Sequence, residues 1–186
     1  MKQMELQKGQ TMDEFVKYLS RKGKSNFSKA TDEEMKQLEE WGKGKLPKEF
    51  LYVYQNMMPT GVLTIKDIRI YGMERIKAEN FDYVPGANIY PLGLFTFASA
   101  MDGDAFCIDL NDETGSVYQC SHSLLSDENE IRVYGFGRTK NLKFTYENVI
   151  GCSMKIADNY REFTEVLRKR RSISYDVESY AADMYI

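Results

Sequence analysis

Apolar residues recur at helical spacing at Met12, Phe15, Val16 and Leu19, just after Thr11-Met-Asp-Glu14. That tetrad has the spacing of a capping box, in which a threonine and a glutamate satisfy each other's free backbone donors. The spacing predicts a short amphipathic helix ending near Arg21, followed by a linker over 23–30. A second capping box, Thr31-Asp-Glu-Glu34, precedes an apolar stripe of Met35, Leu38 and Trp41, and Gly42 and Gly44 stop that helix. Leu46-Pro47 opens a third helix, since proline's missing N–H costs nothing at a first turn. Its Phe50, Leu51 and Tyr54 point inward, and Met57-Met-Pro-Thr-Gly61 turns the chain.

The period then changes from helical to alternating. VLTI (62–65) and IRIY (68–71) are short β-rich runs around a Lys66-Asp67 turn, and MERIKAEN (73–80) is a helical turn. LFTFAS (94–99) and AFCIDL (105–110) alternate, NDETG (111–115) carries turn chemistry, and SVYQCSH (116–122) returns. This predicts an antiparallel hairpin from Asp104 to His122. Its core face is Phe106, Ile108 and Leu110; Ala105, Cys107 and Asp109 point outward. IRVYGF (131–136) and LKFTY (142–146) add strands. Ile156, Tyr160, Phe163 and Leu167 mark a helix ending in Arg168-Lys-Arg-Arg171, cations at the negative end of the dipole. Helices, then strands, then a helix indicate the α+β class, with a central, mostly antiparallel sheet flanked by helices. Three parts follow: an N-terminal extension with a short helix (1–30), the main domain (31–171) and a tyrosine-rich tail (172–186).

A chain of 186 residues suits one main domain that folds without a metal or disulfide staple. Its 42% apolar residues exclude wholesale disorder. The start lacks the apolar region of a signal peptide, and no later stretch is long and apolar enough to span a membrane. A cytoplasmic protein, with no membrane partner, is the expectation. Cys107, Cys120 and Cys152 are odd in number and without a close pair, which implies reduced thiols. Charge is segregated: residues 78–131 contain ten acids and no lysine or arginine, although the net charge is only −3. Such a window projects a field toward a basic partner, or it is simply a solvated acidic face.

The stretch MDGDAFCIDLND (101–112) concentrates this charge. A calcium loop needs alternating oxygen ligands and a closing glutamate, and Asp109 and Asp112 fall on a strand and its turn instead. A zinc site from Cys107, Cys120, His122 and Cys152 lacks closely spaced ligand pairs. The single histidine makes Cys–His catalysis fragile, and close acid pairs arise by chance in so acidic a segment. No phosphate-binding loop is present, and RKRR (168–171) without interleaved aromatics does not indicate direct nucleic-acid binding. No metal, cofactor or catalytic residue is therefore expected. What remains is an acidic surface on a rigid hairpin, formed by Asp102, Asp104, Asp109, Asp112 and Glu113. Met57 and Met58 are either an adaptable apolar anchor beside it or buried at the helix end.

The order of motifs resembles the SUKH superfamily. The matching pieces are Trp41, Leu46-Pro-Lys-Glu-Phe50, Tyr54-Gln-Asn-Met-Met-Pro-Thr-Gly61, Ile70-Tyr-Gly72 and Leu92-Gly-Leu-Phe-Thr-Phe97. They continue with Gly103-Asp104-Ala-Phe106-Cys-Ile-Asp109-Leu110, Val117-Tyr118, His122 and Tyr160-Arg-Glu-Phe163-Thr-Glu-Val-Leu167. The family commonly has Asn-Gly-Gly where this chain has Asn56-Met-Met-Pro-Thr-Gly61. The resemblance implies a non-enzymatic α+β domain in a family dominated by bacterial immunity proteins, which neutralise toxins that are often nucleases or deaminases. Eukaryotic relatives are linked to cell-wall glucan synthesis. The expectation is an immunity protein with a cognate toxin domain as partner. The alternative is a regulatory protein-binding scaffold.

Overall fold

The computed structural model describes residues 12–22 and 26–186. Thr11 lies outside them, so the first capping box does too. Helix α1 covers residues 12–20. The second capping box is complete: the Thr31 hydroxyl accepts from the Glu34 amide at 3.2 Å, and Glu34 accepts from the Thr31 amide at 2.7 Å. It opens α2 (Asp32–Trp41), which Gly42 caps. Pro47 stands at the N-cap of α3 (Lys48–Met57), one residue before the helix proper. Phe50 and Tyr54 are buried, and Leu51 is half-buried.

Short β1 (Phe27–Ser28) lies in the expected linker and pairs with β2 (Met58–Pro59). The main sheet holds β3 (Val62–Ile65), β4 (Ile68–Tyr71), β5 (Leu94–Ala100), β6 (Ala105–Asp109), β7 (Val117–Cys120) and β10 (Met154–Ala157). Its order is β10-β7-β6-β5-β4-β3, and every pairing is antiparallel. The fold is α+β as expected. Helix α4 (Met73–Phe81) and the short α5 (Gly86–Ile89) connect β4 to β5.

The central strands are covered on both faces, which corrects the expectation of an outward face. On one side, Phe15, Leu38, Phe50, Phe163 and Leu167 pack on Phe95, Phe97, Phe106 and Ile108. Edge-on aromatic contacts knit this layer: Phe50 lies 5.1 Å from Tyr160 and Phe97 lies 5.2 Å from Phe163. On the other side, Ala105, Cys107 and Cys120 enter a second core with Ile131, Val133, Val149 and Ala181. The alternating pattern suggested one apolar face because small residues, alanine and cysteine, fill the second. A bulge in β5 between Thr96 and Ala98 also shifts the phase, so Ala98 and Ala100 join Phe95 and Phe97 on the first face. At the bulge, the Asn80 amide replaces a neighbouring strand. It donates to the Thr96 carbonyl at 2.8 Å and accepts from the Thr96 amide at 2.9 Å.

Strands β8 (Glu130–Gly135) and β9 (Arg138–Lys143) form their own hairpin instead of joining the main sheet. The second of these was expected over 142–146, but Thr145 caps α6 (Tyr146–Gly151). Beyond β10, α7 (Tyr160–Lys169) buries Tyr160, Phe163 and Leu167 as read from the sequence; Ile156 belongs to β10.

The tail contains a helix, α8 (Val177–Tyr185), capped by Asp176 and seated on β8. A Cβ on Gly135 would come within 2.8 Å of Ala182, so glycine permits this contact. The Lys66-Asp67 turn holds the chain leading to α8. Lys66, at φ 59°, donates from Nζ to the carbonyls of Leu167, Arg168 and Arg170 at the end of α7. Asp67 accepts from the Ser172 hydroxyl at 2.6 Å and from the Ile173 and Ser174 amides, each at 2.9 Å. Burial by itself would raise the Asp67 pKa, but these bonds outweigh it and hold the carboxyl below its ordinary value. Asp67→Ala strands those donors and is expected to cost about 1–3 kcal/mol. It also speeds trypsin cleavage after Arg170 and Arg171. An unchanged cleavage rate would show that the turn does not hold the tail.

Candidate functional site

The acidic stretch folds as a set of internal acceptors. Asp102 accepts from the Asp104 amide at 3.2 Å, a local turn beside Gly103, whose φ of 105° suits glycine. Asp104 is 4% exposed; it accepts from the His122 amide at 2.8 Å and from Gln119 Nε2 at 3.0 Å. Burial, only partly offset by these bonds, raises its pKa. Asp109 is 2% exposed and accepts from the Asn111 amide at 2.9 Å and the Tyr146 hydroxyl at 2.5 Å. The outward Asp109 of the sequence reading is therefore corrected. Asp112 builds the following turn: it accepts from the Ser116 hydroxyl at 2.5 Å and from the Thr114 amide and hydroxyl. These bonds, that of Ser116 first, hold its pKa down at about 2.

The predicted set also separates in space. Asp102 and Asp104 lie at one end of β6, and Asp109, Asp112 and Glu113 at the other. The five residue steps from Asp104 to Asp109 span roughly 17 Å of strand. Asp102 and Glu113 are exposed and Asp112 is half-exposed. Met58 is buried and Met57 half-buried, both in the first core, so the buried alternative holds for Met58.

Cys107, Cys120 and Cys152 are buried and unpaired. Burial pushes the Cys107 thiol well up and the Cys152 thiol to about 11, so neither is a thiolate at neutral pH. His122 does not share a strand face with Cys120. The strand ends at Cys120, and His122 is exposed beyond it.

One part of the sheet stays open. The second core does not extend over β3 and β4, where Val62 is 52% exposed and Thr64 is exposed. A recess of about 390 Å³ lies there, lined by Arg69, Tyr71, Ser99, Arg75, Tyr83 and His122, among others. Arg69 pairs with Ser99 across the strands. Arg75 packs over Tyr83 at 4.8 Å and Tyr71 at 5.6 Å, and is bound to Glu79 at 2.5 Å. Burial, the largest influence, pushes the Tyr71 pKa up to about 12, so its hydroxyl stays protonated. A second recess of about 500 Å³ on the other side of Arg75 and Tyr83 reaches Met58 and Val62. Tyr83 and Val84, which line these recesses, are exposed. Aromatic, methionine and arginine side chains around a polar floor are the usual composition of a protein-binding surface. The sequence reading missed this site because Arg69, Arg75, Tyr83 and Ser99 form no motif. Alternation in β4, which sets Arg69 on the face opposite Ile68 and Ile70, is the one available signal.

Fold and site define an α+β domain with a sheet buried through its centre and an open polar recess at one end. The model of the SMI1/KNR4 family (SUKH-1) matches residues 29–137, and this chain belongs to that family. Comparison with curated proteins and with solved structures found no match. The family consists of protein-binding and generally non-catalytic proteins. The match ends at the β8–β9 turn, so β9 and the elements after it lie beyond the matched span.

Asp104→Ala and Asp109→Ala, which strip acceptors from buried donors, should each lower stability in urea by about 1–3 kcal/mol. Asp102→Ala and Glu113→Ala should stay within about 0.5 kcal/mol of the parent. Equal, small effects at all four positions would show that none of these carboxylates is architectural.

Proposed function

We propose that this domain is a non-catalytic immunity protein, acting in the cytoplasm without a cofactor, that binds and neutralises a cognate bacterial toxin of the nuclease or deaminase class. Family membership supports binding as the mode of action. Two of the buried thiols are held protonated, which supports a non-catalytic role. The observation that carries the reading is the open recess, where a buried polar floor meets exposed Tyr83 and Val84. Asp102 flanks Gly103 on the recess wall and supplies a negative charge there; Asp112 and Glu113 supply theirs at the far end of β6. Nuclease toxins tend to be basic around their phosphate site, so exposed acids speed the encounter.

A regulatory scaffold for a cellular protein is the second reading. Burial of Asp104 and Asp109 favours it, because it removes much of the acidic surface that singled out a basic partner.

Co-expression with the toxin domain encoded by the neighbouring upstream gene separates the two. The immunity reading predicts surviving cells and co-purification. Tyr83→Ala combined with Asp102→Lys should weaken binding by about tenfold or more at unchanged melting temperature. No toxicity to rescue, or failed rescue with both proteins present, transfers the weight to the scaffold.

A further inference from the structure

The β8–β9 hairpin projects a surface that the fold does not use. Ile131 and Val133 face the second core, whereas every β9 residue but Leu142 is exposed. At the tip, Phe136 is 81% exposed and has φ 50°, followed by Gly137 at φ 73°. Two consecutive positive φ angles are those of a tight turn that favours Asn-Gly. A bulky aromatic in the left-handed region is strained. Nothing in the core rewards that strain, since the ring is in solvent.

Gly135 pairs with Arg138 across the two-residue turn, Val133 with Lys140 and Ile131 with Leu142. The backbone groups of Thr139, Asn141 and Lys143 therefore point away from β8. The Lys143 carbonyl shows that direction: it accepts from the Thr145 amide at 3.0 Å and from Asn148 Nδ2 at 2.9 Å. Thr139 and Asn141 make no such outer bond among the described residues. Arg132 is tied to Glu130 and Asp127, but Arg138, Lys140 and Lys143 have no ion pair among the described residues.

We infer that β9 is a second docking edge, which takes an extended acidic segment of a partner protein by strand addition, with Phe136 as its apolar anchor. Basic residues on an edge strand also keep sheets from pairing wrongly. That accounts for the cations and leaves a strained, exposed Phe136 unexplained. A second copy of β9 is a poor occupant, because Arg138, Lys140 and Lys143 would meet their own kind. A nucleic acid is a poorer fit than a peptide, because it has no use for free strand-edge amides. This inference stands apart from the toxin reading, since β9 lies beyond the family match and none of its residues lines the recess on β4.

The test titrates the nitrogen-labelled full chain with a short blocked peptide of alternating glutamate and valine. The largest NMR shifts are expected at Phe136, Thr139 and Asn141, with slowed amide exchange at Thr139 and Asn141. Asn141→Pro removes an outward amide and spares the β8 ladder; it should weaken binding about tenfold. Phe136→Asn should weaken binding and raise the melting temperature, which separates an anchor from a structural residue. The inference fails if these amides do not respond, if a lysine–valine peptide or oligothymidylate binds them equally well, or if Phe136→Asn leaves binding unchanged.

Discussion

The constraint that organises this molecule is burial of the central sheet on both faces. Ile108 and Phe106 on one side, and Cys107 and Ala105 on the other, are all within 1% of full burial. A strand enclosed in this way has no water for its neighbours' polar groups, so each polar side chain near it must find a protein partner. Asp104, Asp109, Gln119 and Thr96 do so. The Asp104–Gln119 contact continues to the tail: Gln119 accepts from the Tyr175 amide at 2.8 Å and donates to the Tyr175 carbonyl at 2.9 Å. Ser121 likewise donates to Glu178 of α8 at 2.5 Å. The C-terminal segment is thus a wall of the second core, fixed at the Lys66-Asp67 turn, at Gln119 and at Ser121.

The same constraint locates the candidate site. Once α4 and α5 cover β5, and α6, α8 and the β8–β9 hairpin cover β6 and β7, the β3–β4 end of that face is left open among the described residues. Side chains facing that opening can meet a ligand without disturbing the core. Arg75 is held for this by three neighbours, two tyrosine rings and the Glu79 carboxylate, so its position is set before any partner arrives.

Local patterns were legible where one rule acted alone. The Thr31–Glu34 capping box, the VLTI and IRIY strands and the Tyr160–Phe163–Leu167 stripe follow from spacing. Patterns failed where two rules competed. An aspartate on a strand reads as an exposed charge, yet Asp104 and Asp109 are buried because amides and a tyrosine hydroxyl converge on them from elements distant in sequence. Alternation in LFTFAS suggested a regular phase, which the bulge at Phe97 changes. The tail carries tyrosines and no long apolar stripe, so its docking through Ile173, Val177 and Ala181 was not evident. The recess on β4 could not be read either, since its residues come together only by strand pairing.

The carboxylates of the 101–112 stretch hold the hairpin and do not form one exposed acidic face. Carbon-detected NMR titration of these aspartates tests this most directly. Asp104 is expected to titrate above its ordinary value, because it is buried, and Asp112 at about 2, because the Ser116 and Thr114 donors surround it. Both groups titrating together at the ordinary value would mean that they face solvent, and the acidic-surface reading would return.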